Sequence, residues 1–347
     1  MLNQIIAVLG IPRVESEPKG LGISGFCREK LSLAGLSGHR RGMKSSTPLI
    51  LIGGYGFLGS AYAAHAAAAG REVHQLGRRQ SATAGPRDWH WDAAIELAAQ
   101  VKSRAPTIID LAYATVPSTS FNDPVGDFTA NLGAVNRHLE FARSVEARIY
   151  VYISSGGTVY GNAASLPLAE DAPTQPISPY GITKLASEHY VMMQGRLGLP
   201  VTVARPSNIY GPGQVSRAGQ GLVAAAFAAA LGGRKLTLFG DGSQCREYLY
   251  IEDYCTALDA LLEFGEVGET YNVGSGGGIR AAELIAIIAS IVERDGYRLE
   301  LAYAAPRLFD VDANVLDSSR IAAVAGWRAK TALADGLERI WRWMRGQ

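Results

Sequence analysis

Three cysteines, Cys27, Cys245 and Cys255, are spread over 347 residues. They are too few and too scattered for a disulfide framework, and no Cys-x-x-Cys pair offers ligands to zinc, so a reducing, cytoplasmic setting is expected. Net charge is also missing: 33 Lys and Arg face 32 Asp and Glu. That balance leaves no polybasic field for nucleic acid or for a membrane surface. Any anion must therefore be held by a few placed arginines. Long apolar runs are absent as well. AYAAHAAAAG from Ala61 and LVAAAFAAALGG from Leu222 are alanine-rich and too short to span a bilayer, so both read as buried helices. The stretch IIAVLG at Ile5 has no basic segment before it, which argues against a secretory signal. Residues 1–46 show no sustained period of either kind. They are expected to be a disordered or non-native extension, with Met43 an alternative start.

What is present becomes regular from Pro48. LILI, Leu49 to Ile52, is a continuous apolar run of the kind buried on both faces of a parallel sheet. Further strands read as EVHQL (Glu72 to Leu76), TIIDLA (Thr107 to Ala112), RIYVYIS (Arg148 to Ser154) and PVTVAR (Pro200 to Arg205), with helical stretches between them. Strand and helix in alternation predict an α/β fold, a doubly wound parallel sheet of Rossmann type. Beyond Pro206 the rhythm loosens, as expected of a smaller C-terminal lobe. The boundaries follow: a dinucleotide-binding domain over 47–205, with 245–273 returning to it, and a substrate lobe over 206–244 and 274–347.

GGYGFLG, Gly53 to Gly59, lies between the first strand and a helix. Glycines at Gly53, Gly56 and Gly59 allow a tight turn and let backbone approach a pyrophosphate at a helix N-terminus. Phe57 and Leu58 complete the candidate cofactor segment. A glycine-rich turn alone also closes ordinary loops; its place directly after LILI favours a dinucleotide. The acidic residue that would hold a ribose 2′-hydroxyl after the second strand is lacking, and Gly77-Arg78-Arg79 stands there instead. Arg78 could pair with the 2′-phosphate of NADP, or belong to a solvated loop; NAD and NADP both stay open. Asp92, after Trp-His-Trp, is a weaker candidate for the adenine edge.

SPYGITK, Ser178 to Lys184, carries the most chemistry. Ser178 suits an N-cap and Pro179 the first helical turn, which puts Tyr180 and Lys184 on one helix face. A phenol with an ordinary pKa of about 10 is a poor base at neutral pH. A neighbouring ammonium favours its phenolate, which can take a proton from a hydroxyl as hydride leaves the same carbon.

With these residues the chain resembles the extended short-chain dehydrogenases/reductases, and within them the NAD-dependent sugar-nucleotide epimerase/dehydratase group. The resemblance runs from about Pro48 to the C-terminus through GGYGFLG, SSGGTVYG, SPYGITK, RPSNIYGPGQ (Arg205 to Gln214), GDGSQCREYLYIEDY (Gly240 to Tyr254) and YNVGSG (Tyr271 to Gly276). It implies a Rossmann domain, a nicotinamide cofactor, a nucleotide-sugar substrate and often a homodimer. It implies that Asn131 steadies the active-site region, that Arg246 and Arg307 bind a diphosphate, and that Asn208 contacts substrate. Each of these has a blander reading, as surface ion pair or loop bond, and Tyr160 and Tyr210 read equally well as packing aromatics.

The departure lies in SSGGTVYG, where the position that usually carries the hydroxyl falls on Gly156. Ser155 is expected to supply that hydroxyl, with Thr158 as a second contact. The dehydratases of the group use a triplet with two carboxylates, and here it reads Gly156-Gly157-Thr158, so elimination of water is disfavoured. A 4-epimerase needs only tyrosine, lysine, hydroxyl and cofactor. A 4-ketosugar reductase or related oxidoreductase uses the same parts. A non-catalytic dinucleotide sensor is the alternative of another class, and it would have no need of the Tyr180–Lys184 pair.

Overall fold

LILI is apolar at every position because its alternate side chains enter two different cores. In the computed structural model, which describes residues 47–78, 85, 87–215 and 221–346, these residues form β1 (Leu49–Ile52). Leu49 and Leu51 pack on one side of the sheet, Ile50 and Ile52 on the other. The expectation for residues 1–46 lies outside the described residues. The chain continues through α1 (Phe57–Ala68), β2 (Val73–Gly77), β3 (Asp88–His90), α2 (Ala94–Val101) and β4 (Thr107–Asp110). Next come α3 (Pro117–Asn122), α4 (Pro124–Ser144), β5 (Ile149–Ile153), the single turn α5 (Gly156–Val159), α6 (Pro179–Arg196) and β6 (Val201–Pro206).

Seven strands make one parallel sheet in the order β10-β6-β5-β4-β1-β2-β3, the tenth strand being β10 (Thr270–Val273). The order reverses at β1, and a doubly wound sheet binds its ligands outside the strand ends at such a point. One face is covered by α2, α4 and α6 through Leu97, Val135, Leu139 and Val191. On the other face α1 packs beside α8 (Ile251–Phe264) through Tyr62, Ala63 and Ala66 against Leu258, Leu261 and Leu262. Alanine is frequent in α1 because two layers of backbone approach closely there. AYAAHAAAAG supplies Ala61 to Ala68, two thirds of a surface helix with one buried stripe. LVAAAFAAALGG forms α7 (Leu222–Leu231), buried along most of its length. No described helix is long and apolar enough to cross a membrane.

The looser second part holds β7 (Asn208–Tyr210), β8 (Lys235–Phe239) and β9 (Cys245–Tyr250). It continues with β11 (Gly278–Arg280), α9 (Ala281–Glu293), β12 (Glu300–Ala304), β13 (Ala313–Asn314), α10 (Ser319–Ala325) and α11 (Leu333–Arg345). β9 is the centre of a mixed sheet with β7, β11 and β13, and β8 pairs with β12. The expected return of 245–273 to the first half therefore divides at Tyr250. β9 stays in the small sheet, because Arg246 to Tyr250 pair with β7 and β11, whereas α8 and β10 lie on the large one. We accordingly place the lobe boundary between Tyr250 and Ile251.

Candidate active site

The carboxyl ends of β1, β4, β5 and β6 open into a cavity of about 1180 Å³. The turn after β1 forms its floor. Gly53 has φ +78°, a left-handed conformation, and a Cβ there would stand 2.8 Å from the Ala112 backbone. At Gly59 a Cβ would meet the Gly53 carbonyl oxygen at 2.6 Å, so this glycine lets α1 start directly on the turn. Gly56 precedes α1 and offers no side chain to cap it, so the first N–H groups of the helix, at Phe57 to Gly59, are presented at the cavity wall. A narrow backbone cradle ending in a free helix N-terminus fits a dinucleotide pyrophosphate.

SPYGITK opens α6 as its residue types predict: the Ser178 hydroxyl accepts from Gly181 N at 3.1 Å, and Pro179 is the first helical residue. Tyr180 and Lys184 follow one turn apart and both reach the cavity wall. Ser155, two residues beyond β5, lines the same wall as Tyr180. Burial raises the Tyr180 phenol above its ordinary range, and the Ser155 hydroxyl pulls the other way. Thr158 lines the same wall, with its hydroxyl 3.5 Å from the Ser155 carbonyl.

Burial pushes Lys184 down to about 8, against the opposing pull of Asp110, Glu188 and Asp127. Its Nζ donates to the Ile153 carbonyl at 2.7 Å.

Gly156 has a steric reason. A Cβ built on it would lie 2.5 Å from Leu316 Cδ1 and 2.9 Å from the Arg205 carbonyl oxygen. A hydroxyl-bearing side chain has no room there, and Ser155 is the residue of this segment that acts on the Tyr180 phenol.

Asn131 is buried below this wall. Its Oδ1 accepts from Ala114 N at 2.8 Å, while Nδ2 donates to Thr115 Oγ1 and to Asp127. It thereby fixes the 113–116 loop that lines the cavity. Asp127, one turn earlier on α4, is fully buried and also accepts from the Thr115 and Thr183 hydroxyls. Sequence reasoning missed Asp127, although its i, i+4 spacing from Asn131 was a usable signal.

On the lobe side, Arg246 and Arg307 both face the cavity. Strand alternation on β9 sends Arg246 toward it and Glu247 away; the Glu247 carboxylate accepts from Leu316 N and Gly276 N and pins the YNVGSG loop. Arg246 Nη1 donates to the Cys245 carbonyl at 2.9 Å. Arg307 is held by Asp310 at 2.8 Å and stacks on Phe239 and Phe309. Asn208 Nδ2 donates to the Glu247 carbonyl, which leaves its carbonyl oxygen toward other partners.

Two candidates are not brought to the wall. Arg78 is exposed at the end of β2, where the His90 ring bonds its carbonyl. Asp92 pairs with His90 at 3.0 Å, and its side chain is 89% exposed. Arg79 lies outside the described residues.

RPSNIYG, TVYG and YNVGSG owe much of their pattern to a buried polar knot. Arg205 makes a two-pronged ion pair with Glu188 and donates to the Tyr160 hydroxyl at 2.9 Å. That hydroxyl donates to Asn272, whose amide reaches the Leu168 carbonyl. Tyr160 is thus part of the frame. Tyr210 packs edge-on against Tyr248 and Tyr250.

Residues 49–274 match the model of the NAD dependent epimerase/dehydratase family. A UDP-glucose 4-epimerase of Mycolicibacterium smegmatis is 36% identical over 244 residues, which span 69% of this chain and 76% of that one. Among solved structures, the UDP-glucose 4-epimerase of Thermotoga maritima with UDP-glucose superposes with a TM-score of 0.78 at 27% identity. That of Thermus thermophilus in complex with NAD gives 0.77 at 29%. Each covers 86% of this chain and 99% of the other.

Proposed function

The chain belongs to the NAD-dependent epimerase/dehydratase family, and from that premise we propose that it is a sugar-nucleotide 4-epimerase acting by transient oxidation at C4. The observation that carries this reading is that Ser155, Tyr180 and Lys184 meet at one cavity wall, with Tyr180 and Lys184 one helical turn apart. The nicotinamide ring of a bound NAD(P) supplies the acceptor and then the donor of the C4 hydride and, when oxidised, a positive charge that favours a phenolate. Gly53, Gly56 and the N-terminus of α1, from Phe57 to Gly59, hold its pyrophosphate. Tyr180 takes the O4 proton as the C4–H bond breaks and gives it back when C4 is reduced from the other face. Ser155 holds O4 within reach of the phenol, and Thr158 is the second hydroxyl contact. Lys184 adds positive charge in a site sheltered from water, where it acts at full strength.

On the lobe side, Arg246 and Arg307 take the diphosphate and Asn208 the sugar. Arg246 suits this task because its guanidinium faces the cavity with bonds to spare. Epimerisation is favoured over dehydration by the triplet Gly156-Gly157-Thr158, which holds neither carboxylate and, at Gly156, no space for a side chain. The Mycolicibacterium and Thermotoga relatives make UDP-hexoses the first substrates to try. We place a second copy of the chain on α4 and α6, which hold Val125, Phe128 and Ile182 more than half exposed, as is Leu197 at the end of α6.

Arg78 favours a second reading. A guanidinium at the end of β2 suits NADP, and an NADP-linked 4-ketosugar reductase would use the same wall. Purified protein is analysed by mass for bound cofactor, then offered UDP-, dTDP- and GDP-hexoses with NMR detection. A C4-inverted sugar without net redox supports the epimerase; consumption of added NADPH moves the assignment to the reductase. Tyr180→Phe is expected to abolish turnover while nucleotide binding survives, and wild-type activity in that variant would sink the mechanism.

A further inference from the structure

Lys184 is packed between two aromatic rings. Its Nζ lies 4.0 Å from the centre of the Tyr113 ring and 5.0 Å from that of Tyr152. Tyr152 belongs to the interior of β5 and is fully buried. Tyr113 stands on the loop after β4 and forms part of the cavity wall. Its ring also meets Tyr180 edge-on, with centroids 4.9 Å apart and planes at 71°, and its hydroxyl donates to the Tyr180 carbonyl at 3.4 Å. One side chain therefore touches both members of the pair.

The charges around Lys184 come from several elements. Asp110 on β4 and Asp127 on α4 favour the ammonium, as does Glu188 on the same helix. Asp110 is engaged by His138 of α4 and Tyr150 of β5, and Glu188 by Arg205 of β6. These carboxylates act across space, and burial works against them. The direct contacts of the ammonium are a carbonyl oxygen and π faces. A cation over a ring face is attracted by the ring quadrupole, and more strongly where water is excluded.

We propose that Tyr113 is a positioning residue for the Tyr180–Lys184 pair. Its face holds the Lys184 ammonium against the Ile153 carbonyl, and its edge fixes the Tyr180 ring. This role rests on the tyrosine–lysine mechanism above. Nothing in LAYATV, Leu111 to Val116, marks it in the sequence, because the contact joins a loop after one strand to a helix some 70 residues later.

The test compares Tyr113→Phe, which keeps the ring, with Tyr113→Leu, which removes it. Two readouts report the acidity of Lys184: the alkaline limb of the kcat–pH profile, and the pH at which unfolding stability of the cofactor-free protein begins to climb. Tyr113→Leu is expected to move both down by about 0.5 to 1.5 pH units, whereas Tyr113→Phe keeps both within about 0.2. Equal shifts in the two variants, or no shift with leucine, overturn the proposal. If the leucine variant does not fold, Tyr113→Met, also without a π face, takes its place. Should wild-type protein turn over no sugar nucleotide, the mechanism above fails on its own account, and the unfolding readout still decides the role of Tyr113.

Discussion

Replacing Lys184 with methionine should make the cofactor-free protein more stable, and by an amount that shrinks as pH rises. The lysine is 3% exposed and its pKa is pushed down to about 8 from 10.5. Its folded pKa lies below its unfolded one, so the charged form is the disfavoured one in the native state. The cost of burying it is complete below pH 8 and fades as pH rises from about 8 to 10.5. Working both protonation equilibria through gives a cost of about 3 kcal/mol near pH 7 and about 1.4 kcal/mol near pH 9.5. Lys184→Met removes that cost at both values. The stability gap between variant and wild type should therefore narrow by about 2 kcal/mol between them. The buried tyrosines are common to both proteins, so their contributions largely cancel in the comparison. Urea unfolding of nucleotide-stripped protein at the two pH values measures the gap. A gap that stays constant, or widens toward pH 9.5, would refute the account of Lys184 as a buried, weakened ammonium.

Ser155→Ala should lower kcat by about a hundredfold, while Thr158→Ala costs less than about tenfold, because of these two hydroxyls only that of Ser155 acts on the Tyr180 phenol. The reverse order in steady-state kinetics would move the hydroxyl to Thr158. Arg246→Ala should weaken sugar-nucleotide binding about 10- to 100-fold in calorimetric titration and leave cofactor affinity nearly unchanged, the loss expected for charge-assisted bonds to phosphate. Equal losses for both ligands would mean that Arg246 is misassigned. Sedimentation should find a two-chain particle, and Phe128→Glu should shift it toward a single chain; a wild-type monomer refutes the placement on α4 and α6.

What the sequence made legible was local. LILI is read correctly because a strand buried on both faces must be apolar throughout, and SPYGITK because its cap and its i, i+4 pair lie within one helical turn. The cradle at Gly53 and Gly59 follows from glycine where no Cβ fits. Contacts made across the chain were harder. Tyr113 and Asp127 act through partners on other elements, and nothing next to them announces it. Arg205, Tyr160 and Asn272 lie inside motifs that carry the resemblance, yet their side chains spend their polar groups on one another. Arg78 and Asp92 stand out by chemical type and distance along the chain, and the 3-10 turn after β3 leaves Asp92 exposed. The split of 245–273 at Tyr250 depends on register between strands far apart, which no composition shift marks.

Gly156 decides more than the location of a hydroxyl. The space beside it is occupied from behind, by Leu316 and by the Arg205 carbonyl that the Arg205–Glu188 knot helps to hold. Leu316 N is itself held by the Glu247 carboxylate. An engineer who wished to convert this chain to a water-eliminating enzyme would find the substrate side of the loop open and its far side closed. Grafting a Thr-Asp-Glu triplet onto 156–158 would strike the frame before it met the sugar. Under the proposed assignment, reaction choice is thus guarded by residues outside the cavity lining, and any evolutionary route between the two chemistries must pass first through Leu316.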